Sequence, residues 1–330
     1  MKVAVTGAAG HVGGNLVRAL LERGHDVRAV VRNDTRALEG LTVERVKADV
    51  LDADQVRAAL AGAELVFHLA VKISIEGDPD GSVHRTNVIG TRHVVEACLA
   101  NKAKRLVHFS SIHALVNEPY DVPMDEQRAL ADEGHAYAYD RSKAGSEREV
   151  QAGIKRGLDA VIVNPAAVIG PNDFKPSRMG EVFLDLHFRR LPALVAGGFD
   201  WVDVRDIADG AIAAAEKGRT GERYLLGNEY RTVRELASVC RAKGGVRPPL
   251  FTTPMWIAKI GAPFAMAWAK LTGSRPLFTN ESLHALCGNP SVSHAKAARE
   301  LGYQPRPLEA TVADTYEWFR ASGMLGKASS

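Results

Sequence analysis

Three polar residues in the middle of the chain have the types and the order that suit proton transfer. Tyr139 and Lys143 stand four residues apart in Tyr139-Asp-Arg-Ser-Lys143, and Ser111 ends an apolar run upstream of them. Residues four apart share a face of a helix, so the phenol and the ammonium can approach each other or a common ribose. A neighbouring positive charge favours phenolate. We therefore predict that Lys143 lowers the pKa of Tyr139 from about 10 to about 7.

Each of these groups has a predicted role. Tyr139 is the general acid in a reduction and the general base in an oxidation, while the Ser111 hydroxyl donates to a carbonyl oxygen. Asn87 is predicted to support them by bridging backbone and a water chain toward Lys143. The alternative for Asn87 is a buried amide that backbone groups satisfy. Tyr137 is a poor candidate, because the residue four positions on is Arg141, which does not titrate.

A glycine-rich loop follows the first apolar run at once and opens the first helical pattern, in Thr6-Gly7-Ala-Ala-Gly10-His-Val-Gly13. Gly7 suits the tight turn, Gly10 lets backbone approach a pyrophosphate, and Gly13 allows close packing of helix on strand. The helix N-terminus adds unpaired N–H groups and a positive dipole. The loop therefore predicts a dinucleotide site, and the alternative is a glycine-rich turn without a ligand.

The end of the second strand indicates which dinucleotide binds. A site selective for NAD usually has a carboxylate there, and this chain has Arg32 in Val30-Val31-Arg32-Asn33. A guanidinium offers charge and several donors to a 2′-phosphate, so NADP(H) is favoured. NAD(H) remains the alternative, because Asp34 can reach a ribose. Asp49 is predicted either near the adenine or as the cap of the next helix.

Apolar runs rich in β-branched residues alternate with helical patterns through the first half of the chain. Such strands need cover on both faces, so we predict an α/β fold with a Rossmann-type, doubly wound parallel sheet. Ligands of this fold bind at the carboxyl ends of the strands. Residues 138–156 are predicted to form a helix. The predicted strands are Lys2 to Thr6, Asp26 to Val31, Thr42 to Val46, Glu64 to Leu69, Arg105 to Phe109 and Leu158 to Val163.

The second half is less regular and is predicted to form a smaller, mostly helical substrate lobe. Residues 1–170 are assigned to the dinucleotide-binding domain, which residues 199–227 rejoin. Residues 171–198 and 228–330 are assigned to the lobe. Thr232 and Glu235 predict a capping box at a helix start, Ser293 predicts the cap of a helix running to Leu301, and residues 308–322 predict the final helix.

Residues 255–271 form the most apolar segment outside the sheet, with Trp256, Ile260, Phe264 and Trp268 among them. Lys259, Pro263 and Lys270 interrupt this segment too often for a membrane span. We predict that it packs in the lobe core or between subunits. The alternatives are a wall over an apolar substrate and attachment to a membrane surface.

Composition excludes several classes of protein. The chain has 330 residues, is 46% hydrophobic and carries a net charge of +3, without a basic stripe that would bind nucleic acid. Its eleven histidines are dispersed, so we predict no metal site. Cys98, Cys240 and Cys287 lack disulfide or metal spacing, and the first strand at Lys2 leaves no room for a signal peptide. We therefore expect a cytoplasmic protein.

The motifs together resemble an extended short-chain dehydrogenase/reductase of the NAD(P)-dependent epimerase/dehydratase family. The resemblance rests on the glycine loop and the Tyr139 to Lys143 segment, and it covers nearly the whole chain. The other matching segments are His68-Leu-Ala70, Thr86-Asn-Val-Ile-Gly-Thr91, Phe109-Ser-Ser111, Asn164-Pro-Ala-Ala-Val-Ile-Gly-Pro171 and Trp201-Val-Asp-Val-Arg-Asp206.

By this resemblance the catalytic set is Ser111, Tyr139 and Lys143, with Asn87 auxiliary, and a homodimer is a family expectation. The resemblance also implies that Lys143 binds the nicotinamide ribose. The residues assigned to the cofactor are Gly7, Gly10, His11, Val12, Gly13, Arg32, Asp49, Val50, Leu69, Ala70, Lys143 and Pro165.

Departures from the family pattern narrow the range of activities that the resemblance implies. Sugar-nucleotide dehydratases have an acidic pair after the catalytic hydroxyl, where this chain has Ile112 and His113. The pattern is closest to dihydroflavonol 4-reductase-like and 3β-hydroxysteroid dehydrogenase-like members. We therefore predict an oxidoreductase acting on a ketone, an aldehyde or the matching secondary alcohol of a fairly apolar small molecule. The alternatives are a nucleotide-sugar epimerase with tightly bound NAD and a non-catalytic dinucleotide sensor.

Overall fold

The structure is a computed structural model that describes residues 1–75, 77–132, 134, 137–272 and 279–326. The strands in these residues are β1 (Lys2–Thr6), β2 (Asp26–Val31), β3 (Glu44–Lys47), β4 (Leu65–His68), β5 (Arg105–Phe109), β6 (Ala160–Pro165), β7 (Ala167–Ile169), β8 (Leu194–Val195), β9 (Gly198–Asp203), β10 (Arg223–Leu226), β11 (Glu229–Thr232) and β12 (Thr252–Thr253). The α-helices are α1 (His11–Glu22), α2 (Ala53–Ala59), α3 (Ser82–His84), α4 (Gly90–Ala100), α5 (Ala138–Lys155), α6 (Arg178–His187), α7 (Val204–Lys217), α8 (Val233–Gly244), α9 (Met255–Thr272), α10 (Asn280–Ala285), α11 (Ala295–Leu301) and α12 (Leu308–Ala321).

The main sheet is parallel and has the strand order β10-β6-β5-β4-β1-β2-β3. The order reverses between β1 and β4, which is the point where the two halves of a Rossmann fold diverge and where a dinucleotide crosses the sheet. The predicted doubly wound parallel sheet is therefore confirmed. The sequence analysis missed β10, which extends the sheet beside β6.

Both faces of the sheet are buried, as its apolar strands require. One core places Val5 and Phe67 against Leu16 of α1 and Ile207 of α7. The opposite core places other strand residues, Val66 among them, against α2, α4 and α5. Several predicted bounds were shifted by one or two residues. The observed strands are Glu44–Lys47, Leu65–His68 and Ala160–Pro165, and the predicted helix 138–156 is Ala138–Lys155.

A separate core contains Phe183, Trp201, Tyr316 and Phe319, whereas α11 packs on the core of the main sheet. The helices of the separate core are joined by two small sheets that the sequence analysis did not predict, β11-β9-β7 and β12-β8. Residues 199–227 do supply β10 and α7 to the main sheet, although β9 belongs to a small sheet. The domain bounds themselves remain a prediction.

The predicted helix starts have different outcomes. The capping box of α8 is confirmed, because Thr232 and Glu235 each bond the other's backbone. The final helix is α12, which ends one residue before the predicted bound. The N-cap position of α11 is His294, one residue after the predicted Ser293, but the Ser293 hydroxyl accepts from the backbone nitrogen of Ala295, the first residue of the helix, at 3.4 Å.

The most apolar segment outside the sheet forms α9, which continues through Pro263. Ala258 and Ala262 are buried, but the side chains of Trp256, Ile260 and Phe264 are 65%, 62% and 74% exposed. The prediction of lobe core is therefore wrong for these three residues, while the side chain of Trp268 lies outside the described residues. No helix in the described ranges is long and apolar enough to cross a membrane.

Candidate active site

The glycine loop lies at the carboxyl end of β1 and begins α1. Gly10 is the N-cap of α1, and no side chain caps this end. The first N–H groups of a helix have no partner within the helix, so those of His11, Val12 and Gly13 face the loop together with the positive end of the helix dipole. This arrangement is an anion site of the kind that binds a pyrophosphate.

The glycines of the loop are required by close backbone contacts. Gly7 has φ +69°, and a Cβ built on it would lie 2.8 Å from the backbone nitrogen of Ala70. A Cβ on Gly13 would lie 2.9 Å from Ala8 Cα and still closer to the Gly7 oxygen. A Cβ on Gly10 would meet only the Gly7 oxygen within 4 Å, so its outer side is open for a ligand. The loop therefore fits the pyrophosphate of a dinucleotide.

Two predicted cofactor residues, Leu69 and Ala70, lie against this loop. Their backbone nitrogens donate to Thr6 Oγ1 at 3.2 and 3.3 Å. The same hydroxyl is 2.7 Å from Nδ1 of the buried His68, whose pKa burial lowers to about 3, so this imidazole is neutral. Thr6 therefore fixes the ends of β1 and β4 together. The sequence analysis quoted Thr6 only as part of the motif and did not assign it this function.

Contacts with the following loop hold the start of α1. His11 Nε2 is 3.0 Å from the backbone oxygen of Pro171, to which Asn15 Nδ2 donates at 3.1 Å. The side chain of His11, a predicted cofactor residue, is thus engaged with the chain after β7. Its backbone N–H remains in the first turn of α1. The position of the glycine loop therefore depends on residues more than 150 positions away.

The residues predicted to select the dinucleotide differ in their surroundings. Arg32 is exposed at the end of β2. Asp34 is 2.6 Å from the Arg36 guanidinium, which lowers the pKa of this carboxyl to about 2. A carboxylate held in this ion pair is less available for a ribose, whereas Arg32 is accessible to a phosphate.

Three further predicted cofactor residues lie after β3 or at the end of β6. Asp49 accepts a hydrogen bond from the backbone of Leu51, and the cap of α2 is Asp52. The prediction that Asp49 caps this helix is therefore wrong. Val50 is buried, and a Cβ on Gly90 would lie 2.9 Å from its side chain. Pro165 is buried at the end of β6, where it pairs with Leu226.

Lys143 is buried in α5 and donates from Nζ to the backbone oxygen of Phe109 at 2.6 Å. Burial lowers the pKa of this ammonium to about 8, and the carboxylate of Glu147 opposes that shift. The positive charge of Lys143 also helps to depress the pKa of His68. Lys143 therefore bonds the end of β5 and lies close enough to His68, at the end of β4, for its charge to act on that imidazole.

Ser111 and Tyr139 meet just beyond the end of β5. Burial and the neighbouring Asp140 carboxylate raise the pKa of Tyr139, and a hydrogen bond with Ser111 opposes the shift. The prediction that Lys143 brings the phenol to about neutrality is therefore wrong for this structure, in which that ammonium bonds a backbone oxygen. A raised pKa keeps the phenol protonated at neutral pH, and only this form can donate a proton to a carbonyl oxygen.

A buried network that the sequence analysis did not predict bonds the backbone of Ser111 and places a carboxylate near Lys143. Asn164 Nδ2 donates to the Ser111 backbone oxygen at 2.9 Å and to Glu147 Oε1 at 2.7 Å. Arg223 of β10 pairs with the other oxygen of Glu147 at 2.5 Å. Glu147 follows Tyr139 and Lys143 at the same four-residue spacing, and this spacing was the signal in the sequence that could have revealed it.

Asn87 lies in a π-helical turn, Arg85–Ile89, and is buried. Its amide accepts from the backbone nitrogen of Lys72 at 2.8 Å and donates to that residue's oxygen at 3.0 Å and to Ser142 Oγ at 2.8 Å. Two of these three bonds are to backbone atoms of Lys72, as expected for the alternative in which backbone groups satisfy a buried amide. The predicted relay from Asn87 toward Lys143 remains a prediction.

Aromatic and imidazole rings surround the phenol. The ring of His113 lies edge-on to Tyr139 with centroids 6.0 Å apart, and His113 Nδ1 is 3.4 Å from Asp140 Oδ1. His284 of α10 packs against Tyr137 at 4.7 Å. Tyr137 is therefore part of the wall of the site, although it is not a candidate for proton transfer. The described residues contain no cluster of His, Cys, Asp and Glu that could hold a metal ion.

A small cavity beside the imidazole of His113 is lined by Ile112, His113, Phe199 and the buried Asp200. Burial raises the pKa of the Asp200 carboxyl to about 6. Between pH 4 and 6 the unfolded carboxyl ionises while the folded one keeps its proton, so Asp200 destabilises the fold progressively as the pH rises.

We expect the Asp200→Asn variant to unfold at a higher temperature than the native protein at pH 8 and at a similar temperature at pH 4. The shift of about 2 pKa units corresponds to at most about 3 kcal/mol at the higher pH. Asparagine keeps the oxygen that accepts from the Asn228 nitrogen at 2.7 Å. Thermal melts across this range measure the difference, and a gain that is equal at both pH values would contradict the titration of Asp200.

The fold and the site together define an NAD(P)-dependent enzyme of the Rossmann type. Residues 3–227 match the family described as the NAD dependent epimerase/dehydratase family. The chain belongs to this family, which is the extended short-chain dehydrogenase/reductase group, and it is an NAD(P)-dependent oxidoreductase. The resemblance inferred from the motifs is thereby confirmed.

Known proteins match the chain over nearly its full length. It is 37% identical to sterol demethylase protein B of Methylococcus capsulatus, with 98% of this chain and all of the relative covered. It is 33% identical to a putative dihydroflavonol 4-reductase of Synechocystis, with 97% of this chain and 95% of the relative covered. The solved structure of gox2253 is 33% identical and superposes with a TM-score of 0.85 over 97% of this chain and 98% of that one.

Proposed function

We propose that the protein is an NADP(H)-preferring oxidoreductase that reduces a ketone or aldehyde, or oxidises the matching secondary alcohol, on a fairly apolar small molecule. The observation that carries the proposal is the closeness of the Ser111 hydroxyl to the Tyr139 phenol, whose pKa it helps to lower, at the edge of the sheet that also carries the glycine loop. The nicotinamide, when bound, supplies or accepts the hydride. Similarity to a putative dihydroflavonol 4-reductase supports carbonyl reduction.

The residues of the chain have distinct tasks in this reaction. Tyr139 donates its proton to the carbonyl oxygen in the reductive direction and takes it back in the oxidative direction. Ser111 holds that oxygen, and Lys143 binds the nicotinamide ribose. Asn164, Glu147 and Arg223 are positioning residues, since they fix the backbone of Ser111 and the charge beside Lys143.

Part of the wall near His113 is apolar, around a small cavity of about 20 Å³ that holds at most a water molecule. Its two asparagines bond each other, because the Asn289 backbone nitrogen donates to Asn117 Oδ1 at 3.2 Å and Asn289 Nδ2 donates to the Asn117 oxygen at 3.1 Å. Their polar groups are therefore largely used within the protein. Ile112 and Phe199 offer apolar surface to a ligand.

The direct test is to mix the purified protein with NADPH and a panel of apolar ketones and aldehydes and to follow the loss of absorbance of the reduced cofactor. We expect turnover that requires both NADPH and a carbonyl. An epimerase would instead carry tightly held NAD and show no net demand for added cofactor. A dinucleotide sensor would bind NADPH and oxidise it with none of the compounds.

The Arg32→Gln variant tests the preference for NADP(H). We expect the KM for NADPH to rise about 10-fold or more, since a charge-assisted bond to a phosphate is lost, while the KM for NADH stays the same. Steady-state kinetics with each cofactor measure this. Lys47→Gln, which alters an exposed cation on the neighbouring strand, is the control. Equal weakening of both cofactors in Arg32→Gln would contradict a phosphate contact.

A further inference from the structure

One face of α9 is apolar and open to solvent. Trp256, Ile260 and Phe264 follow each other at four-residue spacing and, with Ile257, lie along a single stripe of the helix. All four side chains are exposed, as are Leu250 and Phe251, which precede β12. Soluble proteins rarely leave large apolar side chains clustered in this way without a partner.

The opposite side of α9 is the one that packs on the protein. Ala258 and Ala262 are buried against Leu283 of α10. These alanines are small, whereas the large side chains of Trp256, Ile260 and Phe264 point outward. The arrangement is thus the reverse of an ordinary surface helix, whose large apolar residues face the core.

The stretch of sequence that carries this face is basic from residue 236 to residue 280. Residues 236–280 contain no Asp or Glu and six basic residues, Arg241, Lys243, Arg247, Lys259, Lys270 and Arg275. The other 285 residues contain 36 basic and 39 acidic side chains. Arg241, Lys243, Arg247 and Lys259 are exposed. The excess positive charge of the protein therefore belongs to the segment that carries the exposed apolar stripe.

We propose that α9 and the preceding Leu250-Phe251 dock on the surface of an anionic phospholipid bilayer. The apolar side chains would enter the boundary between headgroups and acyl chains, while the basic residues contact anionic headgroups. A second copy of the chain is a poorer partner for this face. Two copies that meet through it would each bring the exposed Arg247 and Lys259, and like charges repel.

The docking face lies on the outside of a layer that covers the active site. The buried side of α9 packs on α10, and His284 of α10 packs on Tyr137, two residues before Tyr139. A bilayer on the outer side of α9 would therefore lie next to the covered site, and an apolar substrate could reach it from the lipid. This link to substrate rests on the proposed function, whereas the docking itself does not.

Co-sedimentation of the full-length protein with lipid vesicles tests the proposal. We expect the protein to pellet with phosphatidylcholine vesicles that contain about one third phosphatidylglycerol, and to pellet less at high salt or with phosphatidylcholine alone. The double variant Trp256→Gln/Phe264→Gln should lose about 100-fold in partition coefficient, because two large side chains no longer enter the lipid. Lys259→Glu should weaken binding to anionic vesicles only. Phe188→Gln, which removes an exposed aromatic ring in a different part of the chain, should bind as the native protein does.

Two results would overturn the proposal. The native protein could stay in the supernatant with both kinds of vesicle, or the double variant could lower the oligomeric state measured without lipid, which would make this face a protein interface. A conservative variant guards against misfolding. Brominated lipid should quench tryptophan fluorescence in the native protein and clearly less in Trp256→Phe. Because no vesicle measurement depends on turnover, failure of the carbonyl assay would leave the docking result intact.

Discussion

Tyr139→Phe should lower kcat for carbonyl reduction by about 100- to 10,000-fold, the contribution typical of a positioned general acid. The phenol lies beside Ser111, and its raised pKa keeps it protonated at neutral pH. Phenylalanine keeps the ring that packs beside His113 but has no proton to give. Affinity for NADPH, measured by fluorescence titration, should change little because the glycine loop is untouched.

The matched control is Tyr137→Phe. Tyr137 stands two residues earlier and its ring packs on His284. The substitution therefore removes a phenol hydroxyl from the wall of the site and leaves Ser111 unchanged. We expect this variant to keep kcat within a few-fold of the native value. Comparable activity in Tyr139→Phe and Tyr137→Phe would show that the proton comes from elsewhere.

The pH dependence of kcat gives a second readout on the same residue. Because burial and Asp140 raise the pKa of the phenol, reduction should not decline through loss of its proton at neutral or mildly alkaline pH. Lys143, whose pKa burial lowers to about 8, titrates before Tyr139 as the pH rises. A decline near pH 8 would therefore report loss of the ammonium charge.

Gly13→Ala should lower kcat/KM for NADPH by about 100-fold, the effect of displacing binding groups by about 1 Å. A Cβ at this position would lie 2.9 Å from Ala8 Cα and closer still to the Gly7 oxygen. Both neighbours are backbone, so the loop itself must move, and the N–H groups at the start of α1 lose their arrangement around a phosphate. Equilibrium binding of NADPH and steady-state kinetics measure the loss.

Gly14→Ala provides the control one position further along α1. Its Cβ would lie 3.1 Å from the side chain of Ala37 and does not meet the loop. We expect a small loss of thermal stability and nearly native affinity for NADPH. Gly13→Ala should also remain folded by circular dichroism. If both variants bound NADPH equally well, the loop would not be the pyrophosphate site.

The sequence by itself determined the N-terminal architecture and supplied the candidate reacting groups, whose catalytic roles remain a prediction. Short apolar runs rich in β-branched residues are local properties of a strand, so β1, β2 and β5 were predicted with their observed bounds. The glycine loop was predictable because its position between a strand and a helix restricts what it can do. The four-residue spacing of Tyr139 and Lys143 follows from the geometry of one helix.

Tertiary structure decided how these groups are tuned and what covers them. The bond from Lys143 to the Phe109 oxygen, the buried Glu147–Arg223 pair and the burial that raises the pKa of Tyr139 all join residues distant in sequence. The same holds for α9, whose composition predicts an apolar helix but not which side faces water. Desolvation and Coulomb interactions depend on three-dimensional distance and burial, which no local pattern records. The sequence therefore identified the residues, and only the packing of distant segments set their protonation and exposure.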